Sequence, residues 1–303
     1  MATTTQLFRE AAKVQGISGV DFTPPTDHQL IANGIRLHYV DWGGSGFPIL
    51  FLHGGGQTCR TWDMTIVQIR KRYRCFALDQ RNHGDSEKVP DFSISPGAGR
   101  EDVRGVVEAL GLKQFVLVGM SMGGLNTIAY AAKYPKELRA IAIVDVTPTV
   151  KPAGAHEIGN FSRPVEWSSI DEAVKAAVKF NPLRPPAHLR YSLMHALRQR
   201  DDGRWVWKHA RPDRAEQQSA AERKKMTARL EPLWKEVPNI PCPALVCHGS
   251  KSKVINRKLA ERLAQTLPKG EVVTIKGASH TVQGDKPKEF VAALSKFLAE
   301  HKT

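Results

Sequence analysis

Short apolar runs alternate with helical stretches along most of this chain, and that alternation limits its possible folds more than any other feature. Residues 48–52 form a continuous apolar run, which is typical of a strand buried on both faces. Further strands are predicted at residues 74–78, 115–118, 140–144, 243–247 and 271–275, and helices near residues 61–70, 101–110, 122–133, 257–266 and 287–299. Strands and helices in strict alternation imply right-handed crossovers. The sequence therefore predicts an α/β fold with a parallel sheet.

The parallel strands are preceded by a predicted hairpin. Two alternating runs, at residues 29–32 and 35–40, flank Asn33-Gly34, a dipeptide that supplies two positive φ angles to a tight turn. Residues 1–27 are polar and contain prolines, and we expect them to form a loosely attached N-terminal arm.

Residues 148–238 interrupt the alternation. Helical stretches at residues 170–180 and 188–199 are broken by Pro182, Pro185, Pro186 and Pro212, and no run resembles a strand. With 303 residues, the chain has the length of one domain that carries an inserted subdomain. The predicted organisation is an arm at 1–27, a core at 28–147 and 239–303, and a helical cap at 148–238.

The formal net charge of +14 is compatible with attraction to nucleic acid, anionic membranes or acidic substrates. The basic residues are scattered along the whole chain, without a basic stripe carrying interleaved aromatic residues. We therefore expect a solvated basic surface and no nucleic-acid partner.

The cysteine spacing and the hydropathy bear on metal binding and on the cellular location. The four cysteines show no short paired spacing beside histidines, so we expect free thiols and neither a metal nor a cofactor. Residues 1–16 lack an apolar run of signal-peptide length, and nowhere do about twenty apolar residues follow one another. We expect a cytoplasmic protein with no membrane partner. The cysteines are Cys59, Cys75, Cys242 and Cys247.

The clearest chemical motif is Gly119-Met120-Ser121-Met122-Gly123, which lies between a predicted strand and a predicted helix. In that setting Gly-x-Ser-x-Gly forms a strained turn that raises the serine hydroxyl above the sheet edge at a helix N-terminus. We expect Ser121 to be a nucleophile.

A nucleophilic serine that transfers acyl groups needs donors for the developing oxyanion. The backbone N–H of Met122 is one candidate. The second is expected from His53-Gly54-Gly55-Gly56, after the first parallel strand, where glycines let the backbone amides turn toward a substrate. Gly55 is the predicted donor, with Gly56 as the alternative.

His280 is the predicted general base. It lies in Gly277-Ala278-Ser279-His280-Thr281, directly after the last predicted strand and before the final helix. Two further histidines, His53 and His83, are expected to line or brace the loops beneath the pocket.

Four blocks in this order resemble the α/β-hydrolase superfamily over residues 30–300. The resemblance implies a mostly parallel eight-stranded sheet flanked by helices, a serine nucleophile and an inserted helical lid over the substrate. It also implies that the second block is a turn supporting the oxyanion loop. The blocks are His53-Gly54-Gly55-Gly56, Asp79-Gln80-Arg81-Asn82-His83-Gly84-Asp85-Ser86, residues 119–124 and Ser279-His280.

The sequence departs from this family pattern at the acid of the catalytic triad. Many members carry an aspartate after the strand that follows the cap, but residues 248–254 contain no carboxylate, and Ser252 or Lys253 occupies the expected place. Asp145 ends another strand, 24 residues after Ser121, where certain branches of the family place their acid. The alternative is that Asp145 caps the turn into the lid. Lys253 either binds a substrate carboxylate or belongs to the solvated surface.

These residues predict a serine hydrolase that cleaves a carboxylic ester, a lactone or a related acyl compound through an acyl-enzyme. Carbon–carbon bond hydrolysis, perhydrolysis and cofactor-free dioxygenation remain open, and so does a non-catalytic protein that binds a small ligand. Haloalkane dehalogenase and epoxide hydrolase chemistry is disfavoured, because those branches use a carboxylate nucleophile. The aromatic and basic residues of the cap favour a small substrate that is apolar or anionic.

Overall fold

The computed structural model describes residues 3–90, 96–163, 165–210 and 228–302. Its main element is an eight-stranded sheet with helices on both faces, so the predicted α/β-hydrolase architecture is confirmed. The strands of this sheet are β1 (Thr26–Ala32), β2 (Ile35–Asp41), β3 (Pro48–Leu52), β4 (Arg74–Asp79), β5 (Phe115–Met120), β6 (Leu138–Val144), β10 (Ala244–Gly249) and β11 (Gly270–Ile275).

Ten α-helices and a second, small sheet complete the described part of the chain. The helices are α1 (Thr4–Val14), α2 (Asp63–Ile69), α3 (Pro96–Ala109), α4 (Met122–Lys133), α5 (Pro152–Phe161), α6 (Ile170–Phe180), α7 (Pro186–Ala196), α8 (Arg257–Thr266), α9 (Val282–Asp285) and α10 (Pro287–Glu300). The strands of the small sheet are β7 (Glu166–Trp167), β8 (Leu197–Gln199) and β9 (Trp205–Trp207).

The strand order in the large sheet is β1-β2-β4-β3-β5-β6-β10-β11. The first two strands pair antiparallel, as does β2 with β4, and all remaining pairs are parallel. Asn33 and Gly34 take φ angles of 49° and 74° between β1 and β2, which confirms the predicted hairpin. The carboxyl ends of β3, β5, β6 and β10 therefore meet at one edge of the sheet.

Alternate residues of the central strands point to opposite faces of the sheet and build two apolar layers. Leu50 and Leu52 of β3 join the layer formed with α3, α4 and α8. Ile49 and Phe51 join the layer formed with α1, α2 and α10. All four side chains are fully buried, so β3 lies inside the sheet as its continuous apolar run predicts.

The N-terminal residues are not loosely attached, and that prediction is wrong. They form α1, which begins with a capping box between Thr3 and Gln6. Phe8, Ala11 and Ala12 are buried, and the ring of Phe8 stacks on that of Tyr191 in α7 with centroids 5.0 Å apart. Three apolar residues at spacing i, i+3, i+4 form the buried face, a short signal within a polar segment.

The segment between β6 and β10, called the insert here, contains α5, α6 and α7. It also contains β7, β8 and β9, which correct the prediction that this region holds no strand. These strands are two or three residues long, shorter than any run a periodicity argument detects. The helix predicted to reach residue 199 ends at Ala196, because Leu197 enters β8.

The prolines of the insert act differently from one another. Pro186 occupies the first turn of α7, where its missing N–H costs no helical hydrogen bond, so it starts the helix instead of interrupting it. Pro212 lies outside the described residues. No helix in the described part of the chain is long and apolar enough to cross a bilayer.

Candidate active site

Ser121 occupies a strained turn between β5 and α4. Its φ and ψ are 52° and −117°, a region that costs a non-glycine residue energy and persists only when its surroundings enforce it. Its N–H donates to Val144 O at 3.0 Å, and its carbonyl accepts from Leu125 N at 3.0 Å. The predicted strand–serine–helix geometry is therefore present.

The glycines around Ser121 allow backbone segments to approach closely. A Cβ at Gly119 would lie 2.2 Å from the carbonyl oxygen of Gly123, and a Cβ at Gly123 would lie 2.4 Å from that of Leu52. Real Cβ atoms essentially never come this close, so larger residues would displace the turn. The glycines thus keep the first turn of α4 packed against both β5 and β3.

Asp145 follows β6 with a φ of 52° and has a fully buried side chain. Its Oδ2 lies 2.8 Å from Nδ1 of His280, and its Oδ1 accepts from the N–H of Gly249 at 2.9 Å. Because an ionised carboxylate only accepts hydrogen bonds, Nδ1 of His280 carries the proton in this contact. The structure therefore brings two of the predicted site residues together.

Ser252, at the place where the family pattern has an acid, contacts Asp145 instead. Its hydroxyl donates to Oδ2 of Asp145 at 2.5 Å and accepts from the N–H of Val254 at 3.1 Å. In the sequence, this position is notable only because it lacks a carboxylate, and the supporting hydroxyl of Ser252 is not predicted. The signal that could have identified this contact is a serine at position 252 together with an aspartate directly after β6.

Lys253 forms an ion pair at the surface. Its Nζ lies 2.9 Å from both carboxylate oxygens of Glu157 in α5, and its side chain is 71% exposed. In the structure, the partner of Lys253 is thus a carboxylate of the insert, at an exposed position.

The loop of residues 53–56 lies against Ser121. A Cβ at Gly54 would come within 3.3 Å of Cβ of Ser121, and the N–H of Gly54 donates to Oε1 of Gln57 at 3.0 Å. Among the described residues, the amides of Gly55 and Met122 donate no hydrogen bond to the protein. The prediction that these two amides bind an oxyanion requires such unused N–H groups.

His53 supports this loop from beneath. Its Nε2 accepts from the N–H of Gln80 at 3.0 Å, and its carbonyl accepts from Nε2 of Gln80 at 2.6 Å. Asn126 of α4 donates to Oε1 of Gln80 at 2.7 Å. Burial lowers the pKa of His53, which agrees with a neutral ring that accepts at Nε2. His83 lies beside it, with ring centroids 5.1 Å apart.

His38, Cys59 and Asp79 are the group in the described part of the chain that could hold a metal ion, with ligand atoms within 4.8 Å of one another. All three are buried. The carboxylate of Asp79 already accepts from Nδ1 of His38 at 2.8 Å, from the N–H of Cys59 at 2.6 Å and from the N–H of Asp85 at 2.9 Å. Burial raises the pKa of Cys59 well above its usual value, so the thiol is a poor ligand as it stands.

A cavity of about 390 Å³ lies over Ser121 and His280, between the core and the insert. The core side contributes polar groups from residues 54–58 and 279–281, and Lys251 and Lys253 also line it. The insert side contributes polar groups from Glu157, Ser162, Asn181, Arg184 and Ser192. Its apolar lining residues are more numerous and include Ile158, Phe161, Ala177, Phe180, Leu183, Leu189, Leu193, Ala196 and Trp207.

The model of the Alpha/beta hydrolase family matches residues 49–294, which is most of the chain. The chain belongs to the α/β hydrolase family. The matched range begins in β3 and ends in α10, so it includes Ser121, Asp145 and His280. Curated relatives of this α/β hydrolase are esterases and other hydrolases, and the chain is accordingly a hydrolase enzyme.

Three relatives illustrate the range of the family. This α/β hydrolase is 28% identical to an esterase of Mycobacterium tuberculosis, with 94% of this chain and 92% of the esterase aligned. It is 26% identical to a 2-(acetamidomethylene)succinate hydrolase of Mesorhizobium japonicum, over 84% and 89% of the two chains. It is 30% identical to an sn-1-specific diacylglycerol lipase of Mus musculus, over 83% and 80%.

Solved structures agree with this assignment. A crystal structure of an esterase from Mycobacterium tuberculosis superposes with a TM-score of 0.77 at 26% identity and covers 98% of both chains. A crystal structure of an E-2-(acetamidomethylene)succinate hydrolase gives a TM-score of 0.79 at 23% identity, over 91% of this chain and all of the other, and supports the fold.

Proposed function

We propose that this α/β hydrolase cleaves carboxylic esters, lactones or related acyl compounds through an acyl-enzyme at Ser121. The observation that carries the proposal is that Ser121, on its strained turn, and His280, held by Asp145 at 2.8 Å, line the same cavity. In this proposal His280 is the general base, Asp145 orients it, and the amides of Gly55 and Met122 bind the oxyanion.

The proposed reaction has two halves. The hydroxyl oxygen of Ser121 attacks the substrate carbonyl carbon while Nε2 of His280 takes the hydroxyl proton. The oxyanion of the tetrahedral intermediate accepts from the two amides, and the leaving alcohol takes the proton from His280 as the carbon–oxygen bond breaks. Water then attacks the acyl-enzyme, again with His280 as base, and releases the acid. Asp145 remains ionised throughout.

The contacts of Asp145 support its role as the acid. An imidazolium formed at His280 lies 2.8 Å from a carboxylate that also accepts hydrogen bonds from Gly249 and Ser252. Charge-assisted hydrogen bonds of this kind fix the direction of a carboxylate. Asp145 is therefore better placed to orient His280 than to cap a turn.

The cavity suggests the substrate class. Its apolar insert side favours an uncharged acyl or alcohol group with aliphatic or aromatic character, and we propose that the insert acts as the cap that encloses it. The relative that hydrolyses 2-(acetamidomethylene)succinate keeps an anionic substrate open, since the exposed Lys251 also lines the cavity. Carbon–carbon bond hydrolysis, perhydrolysis and cofactor-free dioxygenation would use the same residues. The cytoplasmic location stays a prediction.

The decisive experiment is active-site labelling. A fluorophosphonate probe is incubated with the wild-type protein and with Ser121→Ala, and the labelled peptide is identified by mass spectrometry. We expect labelling at Ser121 only in the wild type, together with hydrolysis of p-nitrophenyl esters or lactones from a panel of varied chain length and charge. Absence of both labelling and turnover would favour a ligand-binding protein.

A further inference from the structure

The carboxylate of Asp285, in α9, links the loop that carries His280 to the insert. Its Oδ2 accepts from the N–H of Ser279 at 2.9 Å and also from the Ser279 hydroxyl. Its Oδ1 accepts from Nδ2 of Asn181 at 2.8 Å and from the guanidinium of Arg184 at 3.2 Å. The side chain of Asp285 is fully buried and that of Arg184 is 8% exposed. One oxygen thus holds the histidine loop and the other holds the insert.

The insert residues of this link form a tight turn between α6 and α7. Within the turn, the side chain of Asn181 accepts from Leu183 N at 3.2 Å, and its carbonyl accepts from Arg184 N at 3.3 Å. The guanidinium of Arg184 lies over Gly284, where a Cβ would come within 2.4 Å of Nη2. The turn therefore rests directly on α9.

Movement of this turn would change the surroundings of Asp285. If the turn left α9, the carboxylate would lose the donors from Asn181 and Arg184 while it remained bonded to Ser279. A buried charge without its partner is strongly unfavourable, so the contacts with Ser279 and with the insert favour each other. Ser279 immediately precedes His280. In the proposed mechanism, the ring of His280 must bind Asp145 through Nδ1 and take a proton from Ser121 through Nε2.

We propose that Asp285 is a positioning residue that makes the orientation of His280 depend on the seating of the turn at residues 181–184. The inference rests on the proposed function of Ser121 and His280. Asn181 and Arg184 also line the cavity, so a substrate that contacts them reaches the residues that hold Asp285. Substrate binding beneath the insert and alignment of the general base are coupled through this carboxylate.

Asp285→Asn tests the link with little change in volume. An asparagine offers one acceptor and one donor, whereas both sides of Asp285 present donors, so one side must lose its contact. We expect kcat to fall about tenfold to a hundredfold while KM changes less than about threefold, because small misplacements of a catalytic group act on the chemical step. Thermal unfolding verifies that the variant is folded before its activity is compared with that of the wild type.

Two further variants complete the design. Arg184→Gln leaves Asp285 intact and removes the cationic donor, and we expect a fall in kcat in the same direction. The matched control is Arg190→Gln, because Arg190 in α7 forms an exposed ion pair with Asp171 of α6 and lies outside the link. We expect the control to keep the wild-type kcat.

A spectroscopic measurement decides the proposal independently of turnover. The low-field proton resonance of the Nδ1–H of His280 is recorded in protein labelled with ¹⁵N-histidine and assigned by its loss in His280→Gln. We expect it to shift in Asp285→Asn and to stay unchanged in Arg190→Gln. The proposal would be overturned if the resonance in Asp285→Asn stayed unchanged and kcat, measured on substrates that the wild type hydrolyses, also stayed unchanged. A fall in stability alone would not support it. A wild type that neither hydrolyses esters nor reacts with fluorophosphonate would instead contradict the proposed function, and the resonance would still report on the link.

Discussion

Ser121 and Asp145 both take a φ of 52° immediately after neighbouring strands of the sheet. In the register of β5 and β6, Met120 pairs with Val144, so the two residues leave the sheet at the same level. The N–H of Ser121 donates to the carbonyl of Val144 and ties the two turns together. The ladder between two buried strands therefore sets the spacing between the proposed nucleophile and the proposed acid.

Asp145→Asn tests the acid at the residue scale. An amide at this position cannot stabilise an imidazolium and can hold the wrong tautomer of His280, so we expect kcat to fall by about four orders of magnitude. The measurement is steady-state hydrolysis of the best ester in the panel, with circular dichroism to verify the fold. An unchanged rate would remove Asp145 from the mechanism.

Lys253→Asp is the complementary variant. It places a carboxylate near the usual acid position and breaks an exposed ion pair with Glu157, a contact of a kind typically worth less than about 1 kcal/mol. We expect kcat to change by less than about threefold. A large gain in rate would indicate that the acid had been lost from that loop without replacement on β6.

Ser252→Ala probes the hydroxyl that supports Asp145. Hydrogen bonds to a charged group contribute about 1.5–3 kcal/mol, so we expect kcat/KM to fall by about tenfold to a hundredfold, less than in Asp145→Asn. Ser252→Thr keeps the hydroxyl and serves as the control. Equal rates in the alanine and wild-type proteins would show that Gly249 and His280 are sufficient partners for the carboxylate.

At the scale of elements, the sequence predicted what periodicity and turn chemistry determine. The buried run of β3, the Asn33-Gly34 hairpin and the position of Ser121 between a strand and a helix all follow from local residue patterns. The roles of Ser252 and Asp285 could not be predicted in this way, because Asp145 lies 107 residues from Ser252 and Asn181 lies 104 residues from Asp285. The strands of the insert were missed for a different reason: each is too short to show a period.

The packing of α1 gives a prediction about stability. Phe8 is 2% exposed and contacts Tyr191 and Phe22, so we expect Phe8→Ala to lower the free energy of unfolding by about 3–5 kcal/mol. Phe47→Ala is the matched control, since Phe47 is 39% exposed, and we expect a loss below about 1 kcal/mol. Urea titration measures both variants. Equal losses would mean that α1 does not pack in solution as it does in the structure.

Across the whole molecule, separate contacts hold the core and the insert together around the cavity. Phe8 of α1 stacks on Tyr191 of α7, and Asp285 of α9 binds the turn that precedes α7. The hydroxyl of Tyr191 also donates to Asp63 of α2. The local sequence around Phe8, Tyr191 and Asp285 predicted none of these contacts.

The stability of the whole chain against acid is predicted to depend on Asp79, which joins β4 to β2 and to residues 59 and 85. Burial alone would raise the pKa of Asp79, but the hydrogen bonds from His38 and from the N–H of Cys59 hold it well below its usual value. A lowered pKa means that the stabilisation is present above the unfolded-state value and is lost as the pH falls toward the folded-state value.

We therefore expect Asp79→Asn to reduce the free energy of unfolding by about 3–5 kcal/mol near neutral pH, because the variant lacks the buried charge that its neighbours are arranged to bind. The difference from the wild type narrows as the pH is lowered from about 5 to about 2, because Asp79 then takes up a proton in the unfolded wild-type chain but not in the folded protein. Urea titrations at the two pH values measure the change. A difference independent of pH would show that the pKa of Asp79 does not fall on folding.

The placement of Asp145 on the strand beside Ser121 has a consequence for protein engineering. Because the sheet itself fixes the spacing between the proposed nucleophile and the proposed acid, the turn after β10 need not supply a carboxylate and only presents hydrogen-bond donors to one. Lys251 and Lys253, which are exposed and line the cavity, can then be randomised in directed evolution with Ser252 retained. Variants can be selected for new leaving groups without rebuilding the charge arrangement around His280.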